Sequence, residues 1–399
     1  MFDVTQFRNE FPFFTLNPNV VYLDSAATTL KPEILIEATS QFYCSSGSVH
    51  RSQSDAENTQ KFEQARQSVC NFIHSESPDC IIWTSGTTHS INLVANGLRH
   101  QLCAKDEIII SEGEHHANFV TWQQLALQTG AKLHIVELND EGLITVENLQ
   151  PILSEKTKIV ALQIVSNVTG TQQSIEKLIP IIRQHSSAKI LLDGAQAISH
   201  IPLNVKQLDC DYFVFSAHKI YGPTGLGVLT GKFESLEQLQ PLFFGGKMVE
   251  RVSKEKTTFA PLPYRLEAGT PNIAGVLGFN AVLHWLQQWD FIAAEQHSID
   301  LAQYCQTKLA SQYPQCRLYP SAQASTFVCF TFDGIASADL STLLAEQNIA
   351  IRAGKHCAEP YLNYLQQNAT LRLSFAPYNT MQDVERFFQA LDKALELLC

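Results

Sequence analysis

Short apolar runs recur through the first 215 residues, at Val20–Leu23, Ile81–Trp83, Glu107–Ile110, Leu133–Val136, Ile159–Leu162, Ile190–Leu192 and Tyr212–Phe215. Continuous apolar strands separated by helices are the signature of a mainly parallel sheet buried on both faces. The helices between them carry one apolar stripe, as Ile34, Leu35, Ala38 and Phe42 do after Pro32. The pattern predicts an α/β domain around a seven-stranded sheet. After about Asn280 long helical stretches surround only a few strands, notably Thr326–Phe332, Ile349–Arg352 and Leu371–Ser374, which predicts a smaller α+β domain. Its last helix is marked by Val384, Phe388, Leu391, Leu395 and Leu398. At 399 residues the chain exceeds the usual limit of a single core. The expected division is therefore 21–284 for the large domain, with 1–20 and 285–399 forming the small one. Gly245–Thr270, with a Gly-Gly pair, several charges and two prolines, reads as an extended loop. There is no internal repeat.

Charge narrows the classes of partner. A formal net charge of −11, with only 17% charged residues, offers no basic field for nucleic acid or an anionic membrane surface. The first residues lack a basic segment followed by an apolar one, and no apolar run is long enough to span a bilayer, so a cytoplasmic protein is expected. Ten cysteines without CxxC pairs fit reduced thiols rather than a disulfide framework.

The candidate chemistry lies at strand ends. Asp193-Gly-Ala-Gln196 closes the run Lys189–Leu192, where ligands of open α/β sheets bind. Asp211-Tyr-Phe-Val-Phe-Ser-Ala-His-Lys219 delivers Ser216, His218 and Lys219 to the same edge. Thr84-Ser-Gly-Thr-Thr-His89 turns from a strand into a helix, and the unpaired N–H groups of such a start suit a phosphate. Taken singly, these are also an ordinary turn, a salt-bridged lysine and an N-cap. Together they meet the needs of pyridoxal phosphate: an anion cradle, an acid for the pyridine nitrogen and an amine for the aldehyde.

Two further segments complete the set. Ser111-Glu-Gly-Glu-His-His-Ala-Asn118 follows a strand and offers His115 to the cofactor ring, for stacking and proton transfer. His115 and His116, read as strand neighbours, point opposite ways, so no metal is expected. Arg352-Ala-Gly-Lys-His-Cys-Ala-Glu-Pro360 surrounds Cys357 with Arg352, Lys355 and His356, a field that favours the thiolate.

At these residues, and along Tyr22-Leu-Asp-Ser-Ala-Ala-Thr-Thr29, Leu266-Glu-Ala-Gly-Thr-Pro-Asn272 and Leu371–Thr380, the chain resembles the group II cysteine desulfurases. These are fold-type I pyridoxal-phosphate-dependent transferases. The resemblance implies that Lys219 binds the cofactor covalently, Asp193 pairs with the pyridine nitrogen, Gln196 bonds the ring hydroxyl and His115 stacks on the ring. It gives Thr88, Ser216 and His218 to the phosphate, with Thr270 reaching over from a second subunit, hence a homodimer. Asn167, Arg352 and Arg372 become substrate-binding residues, and Cys357 takes the sulfur of L-cysteine as a persulfide, for delivery to an acceptor protein. Two departures stand out: His50-Arg-Ser-Gln53, where many members have His-Arg-Gly-x-His, and Lys355, where His or Gln is usual. Selenocysteine or cysteine sulfinate elimination is the alternative in the same site. A non-catalytic binding protein on this fold and a metal-dependent hydrolase built on His115 and His116 are the readings from other classes.

Overall fold

The computed structural model describes residues 2–45, 47–50 and 52–398. Arg51 of the departing tetrapeptide and the terminal Cys399 lie outside the described residues. The strands in chain order are β1 (Val21–Tyr22), β2 (Ile82–Thr84), β3 (Glu107–Ser111), β4 (Lys132–Val136), β5 (Thr157–Gln163), β6 (Lys189–Asp193), β7 (Tyr212–Ser216) and β8 (Gly227–Gly231). They continue as β9 (Val249–Val252), β10 (Thr257–Phe259), β11 (Cys316–Leu318), β12 (Phe327–Phe332), β13 (Ile349–Ala350), β14 (Arg352–Gly354) and β15 (Thr370–Ser374).

Seven of them form one sheet in the order β2-β8-β7-β6-β5-β3-β4. Its pairs are parallel except for those made by β8, which runs antiparallel to β2 and β7. Strand geometry sends successive side chains to opposite faces. Ile108, Ile110, Ile159, Leu191 and Val214 thus enter one core with the helices Thr87–Leu98 and His116–Thr129. Ile109, Val160, Ile190, Leu192 and Phe213 enter the other, with Ala56–Ile73 and Ile273–Leu286. A second, antiparallel sheet, β11-β12-β15-β14, packs with the helices Phe291–Gln312, Ser337–Glu346 and Met381–Leu398. The expected stripe Val384, Phe388, Leu391 and Leu395 is buried there.

Membership of the large sheet differs from expectation in one strand. The run Val20–Leu23 yields β1, which pairs in parallel with β13, and its place in the sheet goes to β8. That strand was hidden because glycines bound its short apolar run. They are required: a Cβ on Gly227 would lie 2.4 Å from the Cα of Gly86, and one on Gly231 would lie 1.9 Å from the Asp211 carbonyl oxygen. The stretch expected as an extended loop contains the hairpin β9–β10. The amino-terminal residues also divide differently. Phe7 and Phe11 pack with Tyr221 and Trp285 beneath the large sheet, whereas Val21 and Leu23 belong to the core of the four-stranded one. Among the described residues no helix is long and apolar enough to cross a membrane.

One buried ion pair ties the segment that carries Thr270 to β2. Arg66 donates to Glu267 at 2.7 and 2.6 Å and to the Ile81 carbonyl at 2.7 Å, while Glu267 also accepts the Trp83 N–H at 2.6 Å. Their side chains are 2% and 7% exposed. Glu267→Ala leaves the buried guanidinium only the Ile81 carbonyl and the partly exposed Glu63 carboxylate, at 3.1 Å from Nε, so a loss of about 3 kcal/mol is expected in urea unfolding. A loss below about 1 kcal/mol would contradict the buried pairing.

Candidate active site

The carboxyl ends of the parallel strands converge on one cavity of about 330 Å³. β6 ends in Asp193, β5 in Gln163, and β7 in Ser216, after which a single 3-10 turn, Ala217–Lys219, aims the lysine inward. The other wall is the segment after Leu23. There the carbonyl oxygens of Ala26 and Ala27 accept from Lys219 Nζ at 2.5 and 3.0 Å. The wall is locked to the lysine turn, because Thr29 donates its N–H to the His218 carbonyl at 3.0 Å and accepts the Tyr221 N–H at 2.7 Å.

Burial sets the charges of these groups. Desolvation, reinforced by Arg372 and only partly offset by Asp24 and Asp193, pushes the Lys219 amine down to about 8, so a useful fraction is the free base near neutrality. Asp193, 5% exposed, is pushed up to about 6 by burial, against the pull of the Ala195 N–H at 2.9 Å and of Lys219. Such a carboxyl gains from an added cationic partner. His115 is driven down to about 4 by burial, then by Lys219, His116 and Arg372. Its Nδ1 accepts the Ala117 N–H at 3.1 Å, which leaves the proton of the neutral ring on Nε2.

At the opposite end, Gly86 caps the helix Thr87–Leu98, and Ser216 Oγ accepts from the Thr87 N–H and bonds the Thr87 hydroxyl, both at 2.8 Å. Thr88 and His218 line the same end. Arg372, 3% exposed, donates to the Asn167 carbonyl at 2.6 Å and to Asp24 at 2.8 Å. Four residues of the cavity wall carry a buried polar atom without a partner: His218 Nδ1, Asn167 Oδ1, Arg372 Nε and His356 Nδ1. Buried polar atoms are normally satisfied, so this cavity is shaped for a polar guest. Helix N–H groups at one end, an amine beside a buried carboxyl at its centre and an arginine opposite fit the phosphate, aldehyde and pyridine nitrogen of pyridoxal phosphate, with an amino-acid carboxylate beside it.

The structure brings Thr88, His115, Asn167, Asp193, Gln196, Ser216, His218, Lys219, Arg352, Cys357 and Arg372 to this one cavity. Thr270 is exposed and does not line it. Gln196 gives its amide to the Ala26 carbonyl at 3.0 Å. Two expectations need correction. His115 and His116 do not lie in a strand; they open the helix His116–Thr129. The cationic field at Cys357 is weaker than the motif suggests, because His356 is buried, pushed down to about 3 and therefore neutral, while Lys355 is ion-paired with Glu359. Cys357 itself is exposed, where the cavity meets a groove of about 590 Å³ between the helices Thr87–Leu98 and His116–Thr129. The sequence reading missed Thr87, Gln163, the Ala26 and Ala27 carbonyls and Lys31. Burial and Lys219 push the Lys31 amine down to about 7, and it bonds the His218 carbonyl at 3.2 Å. Thr87 and the alanines lay inside quoted motifs, but their backbone contributions carry no residue-type signal. Among the described residues no group of three His, Cys, Asp or Glu could hold a metal ion.

Residues 21–387 match the family model described as aminotransferase class-V. A protein of Haemophilus influenzae described as a probable cysteine desulfurase is 63% identical over 391 residues, covering 98% of this chain and 89% of the relative. Cysteine desulfurase CsdA of Escherichia coli is 47% identical over 403 residues, covering 100% and 99% of the two chains. The crystal structure of that enzyme in an S-sulfonic acid form superimposes with a TM-score of 0.94 over 100% of both chains, at 46% identity. An apo cysteine desulfurase from Thermococcus onnurineus gives 0.92 at 32% identity, covering 99% of this chain and 98% of that one.

Proposed function

The chain belongs to the aminotransferase class-V family, and from that membership and the residues of the cavity we infer that it is a pyridoxal-phosphate-dependent cysteine desulfurase. It converts L-cysteine to L-alanine and passes the sulfur to Cys357. The observation that carries this reading is a buried, partly neutral Lys219 amine in one cavity with Asp193 and Arg372, with an exposed cysteine at its mouth.

Pyridoxal phosphate, when bound, supplies an aldehyde for the amines and an electron-withdrawing ring that takes up charge from the substrate carbon. Asp193 would hold the pyridine nitrogen, Gln196 the ring hydroxyl, and Thr88, Ser216 and His218 the phosphate, with His115 against the ring. Thr270 of a second copy closes the phosphate end, which makes the active form a homodimer. Arg372 and Asn167, with Arg352 at the rim, hold the substrate carboxylate; bidentate pairing with a guanidinium orients it. The free amine of Lys219 removes the proton at the substrate Cα. His115, its proton on Nε2, donates a hydrogen bond to the reacting groups. The Cys357 thiolate then attacks the substrate sulfur. An S–S bond forms, the Cβ–S bond breaks with its electron pair left on carbon, and a proton completes alanine. Atoms balance as L-cysteine plus enzyme thiol giving L-alanine plus enzyme persulfide. A sulfur-acceptor protein in the cytoplasm, docking over the exposed Cys357, relieves the enzyme of that sulfur.

Mass spectrometry after exposure to L-cysteine is expected to find one added sulfur on the peptide carrying Cys357. Cys357→Ala keeps the visible absorbance of the bound cofactor and loses sulfide release from L-cysteine by at least about a hundredfold. Undiminished turnover by that variant would refute the persulfide route.

A further inference from the structure

His116 has no part in the chemistry above, yet its backbone and its ring both engage the loop that carries Cys357. The His116 N–H donates to the Cys357 carbonyl at 2.6 Å. Its Nε2 accepts the N–H of Glu359, the first residue of the helix Glu359–Tyr364, at 3.1 Å. An N–H at that position has no partner within its own helix. Because Nε2 accepts, the neutral ring carries its proton on Nδ1, the tautomer opposite to that of His115 beside it. A second tether grips the loop from the other side. Asn167 donates to the His356 carbonyl at 2.6 Å, and His356 Nε2 lies 2.9 Å from Thr370 Oγ1. Between the tethers, His356 and Cys357 adopt φ values of +52° and +54°. Two successive side-chain-bearing residues in the left-handed region are disfavoured and persist only where their surroundings hold them.

We propose that His116 is a positioning residue for Cys357: its ring nitrogen clasps the start of the following helix and so fixes the thiol at the mouth of the cavity. The Lys355–Glu359 pair spans the same turn and engages the Glu359 side chain, leaving its backbone N–H to His116. The proposal rests on the reading of Cys357 as the sulfur acceptor.

The test compares His116→Leu, which fills the space without an acceptor, with His116→Gln, whose Oε1 can occupy the place of Nε2. Both are prepared as holoenzyme. Backbone hydrogen exchange across residues 355–362 is measured by mass spectrometry alongside kcat and KM for L-cysteine. In the leucine variant, exchange should quicken about tenfold, the scale of one lost hydrogen bond, and kcat should fall by a similar factor while KM stays within about twofold. The glutamine variant should restore both, and the cofactor absorbance should be unchanged in each. Wild-type exchange in the leucine variant overturns the clasp. Faster exchange with full kcat overturns the positioning role, as does a glutamine variant as impaired as the leucine one or loss of the cofactor absorbance. Exchange needs no turnover, so it judges the clasp even if Cys357→Ala proves active and the persulfide reading itself falls.

Discussion

Replacing Lys219 with alanine abolishes turnover of L-cysteine, by a factor on the order of 10⁴ or more, because one amine both anchors the cofactor and moves the substrate proton. The protein still folds: among the described residues the Lys219 amine bonds only to the Ala26 and Ala27 carbonyls, and Ala26 keeps the Gln196 amide as a second donor. The absorbance of the covalently held cofactor disappears, while added cofactor still binds through the phosphate end. Retention of that absorbance in the alanine variant would mean that another amine carries the aldehyde. Lys31, with its depressed amine bonded to the neighbouring His218 carbonyl, would be the first to examine. In the native enzyme, the Lys219 amine at about 8 predicts that the cofactor-free protein gains stability as pH rises from about 8 to 10.5. Over that interval the unfolded chain binds the proton and the folded one does not.

Asp193→Asn is the second large effect. The amide preserves the acceptor for the Ala195 N–H but cannot hold a proton on the pyridine nitrogen, so kcat should fall about a hundredfold or more, with the cofactor still bound. A second readout needs no substrate. The folded carboxyl sits at about 6 against an ordinary 3.8, so the folded cofactor-free protein binds the extra proton between those values. Its stability therefore declines as pH rises across that window, and the asparagine variant removes that decline. Thermal unfolding of the two cofactor-free proteins from pH 4 to 7 checks it; parallel curves would show that Asp193 is not held in its raised state.

The sequence made much of this visible for a physical reason. Strands such as β3, β5, β6 and β7 are buried on both faces, so their apolar runs were unambiguous, and the acid, lysine and histidine placed just beyond them stood out. An apolar run does not say which strand it will pair with. That is why Val21–Tyr22 could be mistaken for a member of the large sheet, and why β8, bounded by glycines that serve close packing, went unseen. Backbone groups leave no trace in residue types, so the carbonyl pair that receives Lys219 was not legible. Motif chemistry also ignores burial: His356 looks like a cation beside Cys357 until its surroundings are known.

The amino-terminal segment finishes two of the three hydrophobic interiors, with Phe7 and Phe11 wedged against Tyr221 and Trp285, and Val21 and Leu23 completing the layer around Phe330 and Leu371. Neither half can then be produced as a self-sufficient module by a single cut. Fragments split near residue 284 should associate only when the first one retains this leading stretch, which behaves as a thread stitched through two garments.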